Sequence, residues 1–345
     1  MFHDLRAIDV YAAARRIDGA VRHTPLRRSA ALSDIAGGDV FLKPEHEQIT
    51  GSFKLRGAFN AIAVMDPAER ARGVVASSAG NHGLGVAKAA QHFGIPATIF
   101  VPARAPDVKK RGIAALGATV DDSEPDYDAA MVTAKAFAAD RGARYINPCL
   151  GDPLLAGQGT VGLEIITELP STAMLILPVG GGGLLGGVAS FVRRVAPEVR
   201  IVGAQSEHTA AMALSLGAAR VVEIPSVPTL ADGLAGQIDE EALDIGRHGL
   251  DDIAVLTEEE IADAIAWLAR TENAIVEGSG AVGVGALLHG RIHAVRTPAV
   301  IVVSGGNIDP GVHARVMRET EARPLHREGP ATRPNVETAS TPGGG

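Results

Sequence analysis

Cysteine is almost missing from this chain: Cys149 stands alone among 345 residues. A single cysteine excludes an intramolecular disulfide and fits a reducing compartment, so a cytoplasmic protein is expected. As a nucleophile it is a weak candidate, since a free cysteine is usually a small buried hydrophobe. Aromatic residues are nearly as scarce, at 3% with one tryptophan, against a hydrophobic content of 46%. The core must then be built from Ala, Val, Leu and Ile, as alternating strand and helix layers use. Positive charge is also short: the net charge is −8 and no basic stretch dominates, which argues against a nucleic-acid binder. Lys109-Lys110-Arg111 is the densest basic cluster, and a solvated helix start accounts for it. No apolar run approaches an uncharged membrane span, and Met1 to Val10 carries acidic residues rather than a secretory signal. Metal-ligand spacings are lacking too. His46 and Glu47 have no partner at ligand spacing and read as ordinary surface residues.

What remains is length and alternation. The chain is long enough for two domains with substantial cores. Between Gly73 and Pro148, strands read at Val74–Ser77, Ala97–Val101, Ala118–Asp121 and Arg144–Ile146, and helices at Leu84–Phe93, Lys109–Leu116 and Tyr127–Asp140. This is the signature of a doubly wound parallel sheet. A second α/β series has strands near Leu175, Ile201, Ala254 and Ile301, and Val40–Leu42 is expected to return to it. Thr257 followed by Glu260 marks a capping box. The expected organisation is a larger discontinuous domain of residues 1–53 and 151–322, a smaller one of residues 54–150, and a ligand between them. Residues 323–345, rich in Pro, Thr and Gly, read as a disordered tail.

Four segments carry candidate chemistry. In Ser52-Phe53-Lys54-Leu55-Arg56-Gly57-Ala58, a lysine sits where a helix is expected to start near Ser52. There it faces the positive end of the peptide dipoles and loses hydration, and both effects favour the neutral amine that attacks an aldehyde to form a Schiff base. The strand at Val74 breaks into Gly80-Asn81-His82-Gly83, Met174 to Val179 runs into Gly180-Gly181-Gly182-Gly183, and Ala299 to Val303 ends in Ser304-Gly305-Gly306-Asn307. Each places glycines and small polar residues past the carboxyl end of a strand, where open α/β sheets hold ligands. Taken singly, Lys54 reads as a snorkelling surface lysine and each glycine run as a tight turn.

Together and in this order, from about Val21 to Asp309, these segments resemble the fold-type II pyridoxal phosphate enzymes, specifically the threonine/serine dehydratase and serine racemase group. The resemblance implies two open twisted α/β domains with the cofactor between them. It implies that Lys54 bonds the cofactor and acts as base, that Phe53 lines the ring, and that Gly180, Gly181, Gly182, Gly183 and Leu184 hold the phosphate. A loop without side chains can point several amides at one anion, and the following helix adds its dipole. Asn81 would bind the phenolic oxygen, Ser304 would face the pyridine nitrogen, and Gly233 and Glu277 would lie close to the ring. Ser78, Ala79, Asn81 and His82 form the loop implied to receive the substrate carboxylate. A serine at 304 hydrogen-bonds the ring nitrogen without stabilising its protonated form, which suits elimination.

Two departures stand out. In the racemase the position of Ala79 is a serine that works as the second acid/base; alanine carries no proton, leaving a water or His82 as substitute. Gln205 and Ala211 stand where relatives place metal-binding carboxylates, so no divalent metal is expected. The implied activity is elimination from L-threonine or L-serine to the 2-oxo acid and ammonia. Racemisation, or dehydration of a bulkier substrate such as phenylserine or hydroxyaspartate, is the alternative. Leu55 replaces the aspartate usual in threonine synthases. A dinucleotide oxidoreductase lacks its Gly-x-Gly-x-x-Gly unit in context, and a non-catalytic cofactor-binding protein remains open. The expected partners are a small amino acid and further copies of the chain, since homodimers are the commonest assembly.

Overall fold

The computed structural model describes residues 9–321. The expectation of a disordered tail falls on residues outside that range. Ten strands form two sheets: β1 (Arg27–Arg28), β2 (Val40–Lys43), β3 (Val74–Ser77), β4 (Ala97–Pro102), β5 (Thr119–Glu124), β6 (Arg144–Tyr145), β7 (Met174–Pro178), β8 (Arg200–Ser206), β9 (Asp252–Leu256) and β10 (Ala299–Val302). The larger sheet has the order β1-β2-β10-β7-β8-β9 and the smaller β5-β4-β3-β6. Every pairing is parallel except β1 on β2.

Parallel strands covered on both faces read as continuous apolar runs, and β7 is buried at every position. Its side chains still alternate: Leu175 and Leu177 join one core cluster, Met174 and Ile176 another. The helices Asp152–Glu168 and Gly183–Val195 contribute to the first cluster, and Glu258–Thr271 and Gly278–Leu288 to the second. As its apolar pattern suggests, β2 returns to pair with β10, Val40 opposite Ala299. Thr257 and Glu260 close the capping box.

Residues of the smaller sheet all lie between 74 and 145, and those of the larger lie on either side of that stretch. On this basis we propose domain boundaries at 53/54 and 150/151. The Lys54–Ala63 helix packs on both Asn81–Phe93 and Asp152–Glu168, and so joins the two sheets. It begins at Lys54, two residues later than the sequence suggests. Ser52 is held in an antiparallel bridge to Gly305, and Phe53 N donates to Ser304 O at 3.1 Å, so the chain turns helical only after leaving the strand edge. The exits of β3, β7 and β10 carry the glycine-rich segments.

Candidate active site

Lys54 is the first residue of its helix, and its Nζ donates to Pro148 O at 2.8 Å. Nζ also lies 5.3 Å from the centroid of the Phe53 ring, a buried aromatic. Pro148 belongs to a short crosspiece, residues 146–150, that no sequence pattern singles out. Its Asn147 Oδ1 accepts from Cys149 N at 2.8 Å and Leu150 N at 2.9 Å, fixing the turn. An Asn-Pro pair is a turn signal, but nothing local says what the turn will touch.

The same crosspiece meets the loop after β3. His82 Nε2 lies 2.9 Å from Ile146 O, and since a carbonyl only accepts, Nε2 carries the hydrogen. Burial pushes the His82 imidazole down to about 3, the Lys54 charge adding to the effect and the Ile146 bond opposing it. A histidine held neutral, with its one N–H committed to Ile146, has no proton to give. The expectation that His82 could replace a hydroxyl at Ala79 as proton donor is therefore corrected. Ser78 Oγ accepts from Gly80 N at 3.1 Å, shaping the loop before Asn81 opens the next helix. Ala79 is half-buried against the apolar core.

The crosspiece also meets the tetraglycine loop. A Cβ on Gly181 would lie 2.8 Å from Cys149 Sγ, and one on Gly183 2.9 Å from Cys149 Cα. Gly180 packs on the Leu234 backbone, and Gly182 caps the Gly183–Val195 helix with φ of 86°. The Leu184 side chain is buried in the core, so the loop offers backbone alone. The first N–H groups of that helix have no partner within it and point out of its positive end.

At the exit of β10, Ser304 is buried, with its Oγ 3.4 Å from Ser279 O. Asn81 crosses from the other sheet. Its Nδ2 donates to Glu277 Oε1 at 2.6 Å, and its Oδ1 accepts from Asn307 Nδ2 at 2.6 Å. One N–H of Asn81 is left over. Gly305 is pressed so closely against Glu277 that any side chain there would collide with the carboxyl. Gly233 N donates to Ser279 Oγ at 2.8 Å, bringing the 232–234 turn to the same end of the sheet. The structure thus brings Lys54, Phe53, Asn81, His82, the tetraglycine loop, Gly233, Glu277 and Ser304 to one end of the two sheets.

Burial pushes the Glu277 carboxyl up to about 7, with the nearby Asp232 charge adding to it; Asn81, Lys109 and the Asn307 backbone work the other way. The unfolded chain loses this proton near 4.5 and the folded chain only near 7. Between those values the folded state binds the extra proton, so stability falls as pH rises through that window. Glu277→Gln, which mimics the protonated form, should flatten this part of the profile. Thermal midpoints of both proteins from about pH 5 to about pH 8 check it; parallel profiles would assign the titration to another group.

Glu47 lies at the surface as expected, but His46 does not. The His46 side chain is 10% exposed, and Glu47 pairs with Arg27 at 2.5 Å. His46 turns inward because the 45–47 turn follows β2 directly, while Glu47 faces the exposed Arg27. Gln205 is buried, and its amide is spent on the backbone: Nε2 donates to Val179 O at 2.9 Å and Thr209 O at 3.0 Å, while Oε1 accepts from Ala213 N at 3.0 Å.

A family described as pyridoxal-phosphate dependent enzyme matches residues 17–305. The chain belongs to that family. An L-threonine ammonia-lyase of Thermotoga maritima is 42% identical to it over 312 residues, covering 90% of this chain and 78% of that protein. Among solved structures, maize serine racemase superposes with a TM-score of 0.85 at 33% identity, covering 91% of this chain and 97% of that one. The processed form of threonine deaminase isoform 2 from Solanum lycopersicum gives 0.82 at 32% identity, covering 92% and 86%. The architecture is that of the fold-type II members, and the enzyme depends on pyridoxal phosphate. The residues present fit such a group. The tetraglycine loop is a cradle that side chains would fill, Asn81 keeps a spare donor, and three buried polar atoms of these segments, Ser52 Oγ, Ser77 Oγ and His82 Nδ1, have no partner among the described residues. No helix among the described residues is long and apolar enough to cross a membrane.

Proposed function

We propose that this protein eliminates water from L-threonine or L-serine, releasing 2-oxobutanoate or pyruvate and ammonia. The observation that carries the reading is the 146–150 crosspiece, which ties Lys54, His82 and the tetraglycine loop together through single contacts. The names of relatives at 37–42% identity support the reaction class.

In this reading the amides of Gly180, Gly181, Gly182, Gly183 and Leu184 hold the cofactor phosphate. Phe53 would line the ring, Asn81 would donate its spare N–H to the phenolic oxygen, and Ser304 would bond the ring nitrogen, with Gly233 and Glu277 close to it. The bound cofactor supplies the electron sink for charge developing at Cα. Lys54 would hold the group covalently and, as the free amine, would take the Cα proton at Nζ. Pro148 O accepts from Nζ and keeps the amine near the reacting carbon. The Ser78–His82 loop receives the substrate carboxylate through hydroxyl and backbone donors. His82, neutral, orients the loop and leaves proton traffic to Lys54. As the Cβ–O bond breaks, the hydroxyl takes the proton that Nζ drew from Cα and leaves as water; the released enamine tautomerises to the imine, which water hydrolyses to the 2-oxo acid and ammonia.

A 2-oxo acid and ammonia assay across L-serine, L-threonine, phenylserine and hydroxyaspartate tests this reading. Bound cofactor with no product from any of them would make the protein a non-catalytic binder. Ala79 stands at the position that would deliver a proton to the face of Cα opposite Lys54, and it has no ionisable or hydroxyl group. L-Serine should therefore give pyruvate with little D-serine, and Ala79→Ser should raise the ratio of racemisation to elimination. Chiral chromatography beside a pyruvate assay reads both; abundant D-serine from the wild type would favour the racemase. The enzyme is proposed to work in the cytoplasm as a homodimer or larger homo-oligomer, which sedimentation can check.

A further inference from the structure

Arg56 is the largest fully buried side chain in the described residues, and it stands two positions from Lys54 on the same helix. At about 100° per residue the two side chains leave the helix roughly 200° apart, so Arg56 points away from the site. Its guanidinium forks onto Glu45, with Nε to Oε2 and Nη2 to Oε1 both at 2.8 Å. It forks again onto Glu164, with Nη1 to Oε1 at 2.6 Å and Nη2 to Oε2 at 2.9 Å. Thr160 Oγ1 at 3.1 Å and Arg22 O at 3.2 Å take the remaining directions. Lys43, also fully buried, donates to Glu164 Oε2 at 2.5 Å and Thr24 O at 2.6 Å, while Thr24 Oγ1 donates to Glu45 Oε1. Four stretches of chain meet here: the 22–24 segment, the end of β2, the lysine helix and the Asp152–Glu168 helix.

Stability alone does not explain such a cluster. A buried, compensated ion pair can be replaced by apolar residues of similar volume with little loss, because the charges must first be stripped of water. What ions add over an apolar contact is fixed geometry, since a bidentate fork sets direction as well as distance. The surrounding packing leaves no play. A Cβ on Gly157 would lie 2.5 Å from Arg56 O, and one on Gly57 would run into Gln158. Arg56 N closes the first helical turn on Phe53 O at 3.0 Å, and Phe53 N is held by Ser304 O. The turn bearing Lys54 is thus fastened at its start by β10 and from behind by the Arg56 cluster.

We propose that Arg56 is a positioning residue: braced by Glu45 and Glu164, it fixes the first turn of the lysine helix and thereby the place of the Lys54 amine. The inference rests on the reading of Lys54 as the reactive amine. Misplacing a catalytic group by about 1 Å can lower turnover by ~10²-fold. Two variants test it, Arg56→Lys, which keeps the charge and loses the fork, and Arg56→Met with Glu45→Leu, which removes both charges. For each, thermal midpoint, kcat and KM are measured, together with the rate at which pyridoxal phosphate alone becomes fixed to Lys54 on borohydride reduction. The expected result is folded protein with kcat lowered tenfold or more, KM within a few-fold, and slower fixation at Lys54. Wild-type kcat and fixation rate in a folded variant would overturn the proposal, as would losses that merely follow the thermal midpoint. So would full turnover in Arg56→Lys beside a double variant that fails to fold. Wild-type protein that is not labelled at Lys54 overturns the functional reading instead, which keeps the two failures apart.

Discussion

Lys54→Ala should lower turnover of L-threonine or L-serine by on the order of 10³-fold or more while the protein still binds pyridoxal phosphate without a covalent bond. A positioned general base contributes about 10²–10⁴-fold, and the same amine carries the covalent link, so one substitution removes two functions. Binding is expected to survive because the groups that hold the cofactor are elsewhere: the tetraglycine amides on the Gly183–Val195 helix, Asn81 on Asn81–Phe93, and Ser304 after β10. Among the described residues the lysine side chain makes one hydrogen bond, to Pro148 O, so its removal leaves a carbonyl and no buried charge. Wild-type protein should be yellow, with borohydride fixing the cofactor onto Lys54, whereas the variant should release it on dialysis after the same treatment. A variant that kept a tenth or more of wild-type turnover would show that another group takes the Cα proton.

The parts of this site that are legible in the sequence are those where one local signal does the placing. An apolar run that gives way to glycines and small polar residues, as after Val179 and Val303, fixes both the strand and the exit that follows it, and β7 and β10 end one residue before those valines. The start of the lysine helix falls later than its local pattern suggests because Ser52 and Phe53 are bound to Gly305 and Ser304, partners some 250 residues away. The crosspiece is hidden for the same reason. Asn147-Pro148 announces a turn, but its contacts with Lys54, His82 and Gly183 depend on how two sheets meet. Arg56, Glu45 and Lys43 look like residues of a solvated face, since charged side chains are seldom buried unless paired. Glu45 finds its partner in Arg56 itself, and Glu164, more than a hundred residues further along, pairs with both Arg56 and Lys43. His82 illustrates the limit from the other side: its position is legible, but its protonation state follows from burial and the Lys54 charge, against the bond to Ile146.

Gly183→Val should weaken pyridoxal phosphate binding by about 10²-fold or more, and no second change at Cys149 should restore it. A Cβ at 183 would meet the Cys149 Cα at 2.9 Å, the Cys149 O at 3.2 Å and the Pro148 O at 3.3 Å. These are backbone atoms in a turn fixed by Asn147, so the glycine loop must yield instead. Displacing the loop turns away the amides proposed to hold the phosphate. Hydrogen bonds to a charged group are worth about 1.5–3 kcal/mol each, so losing two amounts to roughly 10²–10⁴ in affinity. Gly181→Ala supplies the contrast. Its Cβ would meet the Cys149 side chain, Sγ at 2.8 Å and Cβ at 3.3 Å, so combining it with Cys149→Ala removes the nearest atom and should recover much of the loss. Gly217→Ala, with nothing within 4 Å, should bind as the wild type does. Absorbance titrations of these variants with pyridoxal phosphate, each glycine change at 181 and 183 made with and without Cys149→Ala, decide the matter. Equal, mild losses at 181 and 183, or rescue of both by Cys149→Ala, would mean that the crosspiece yields and that the loop geometry does not set the affinity.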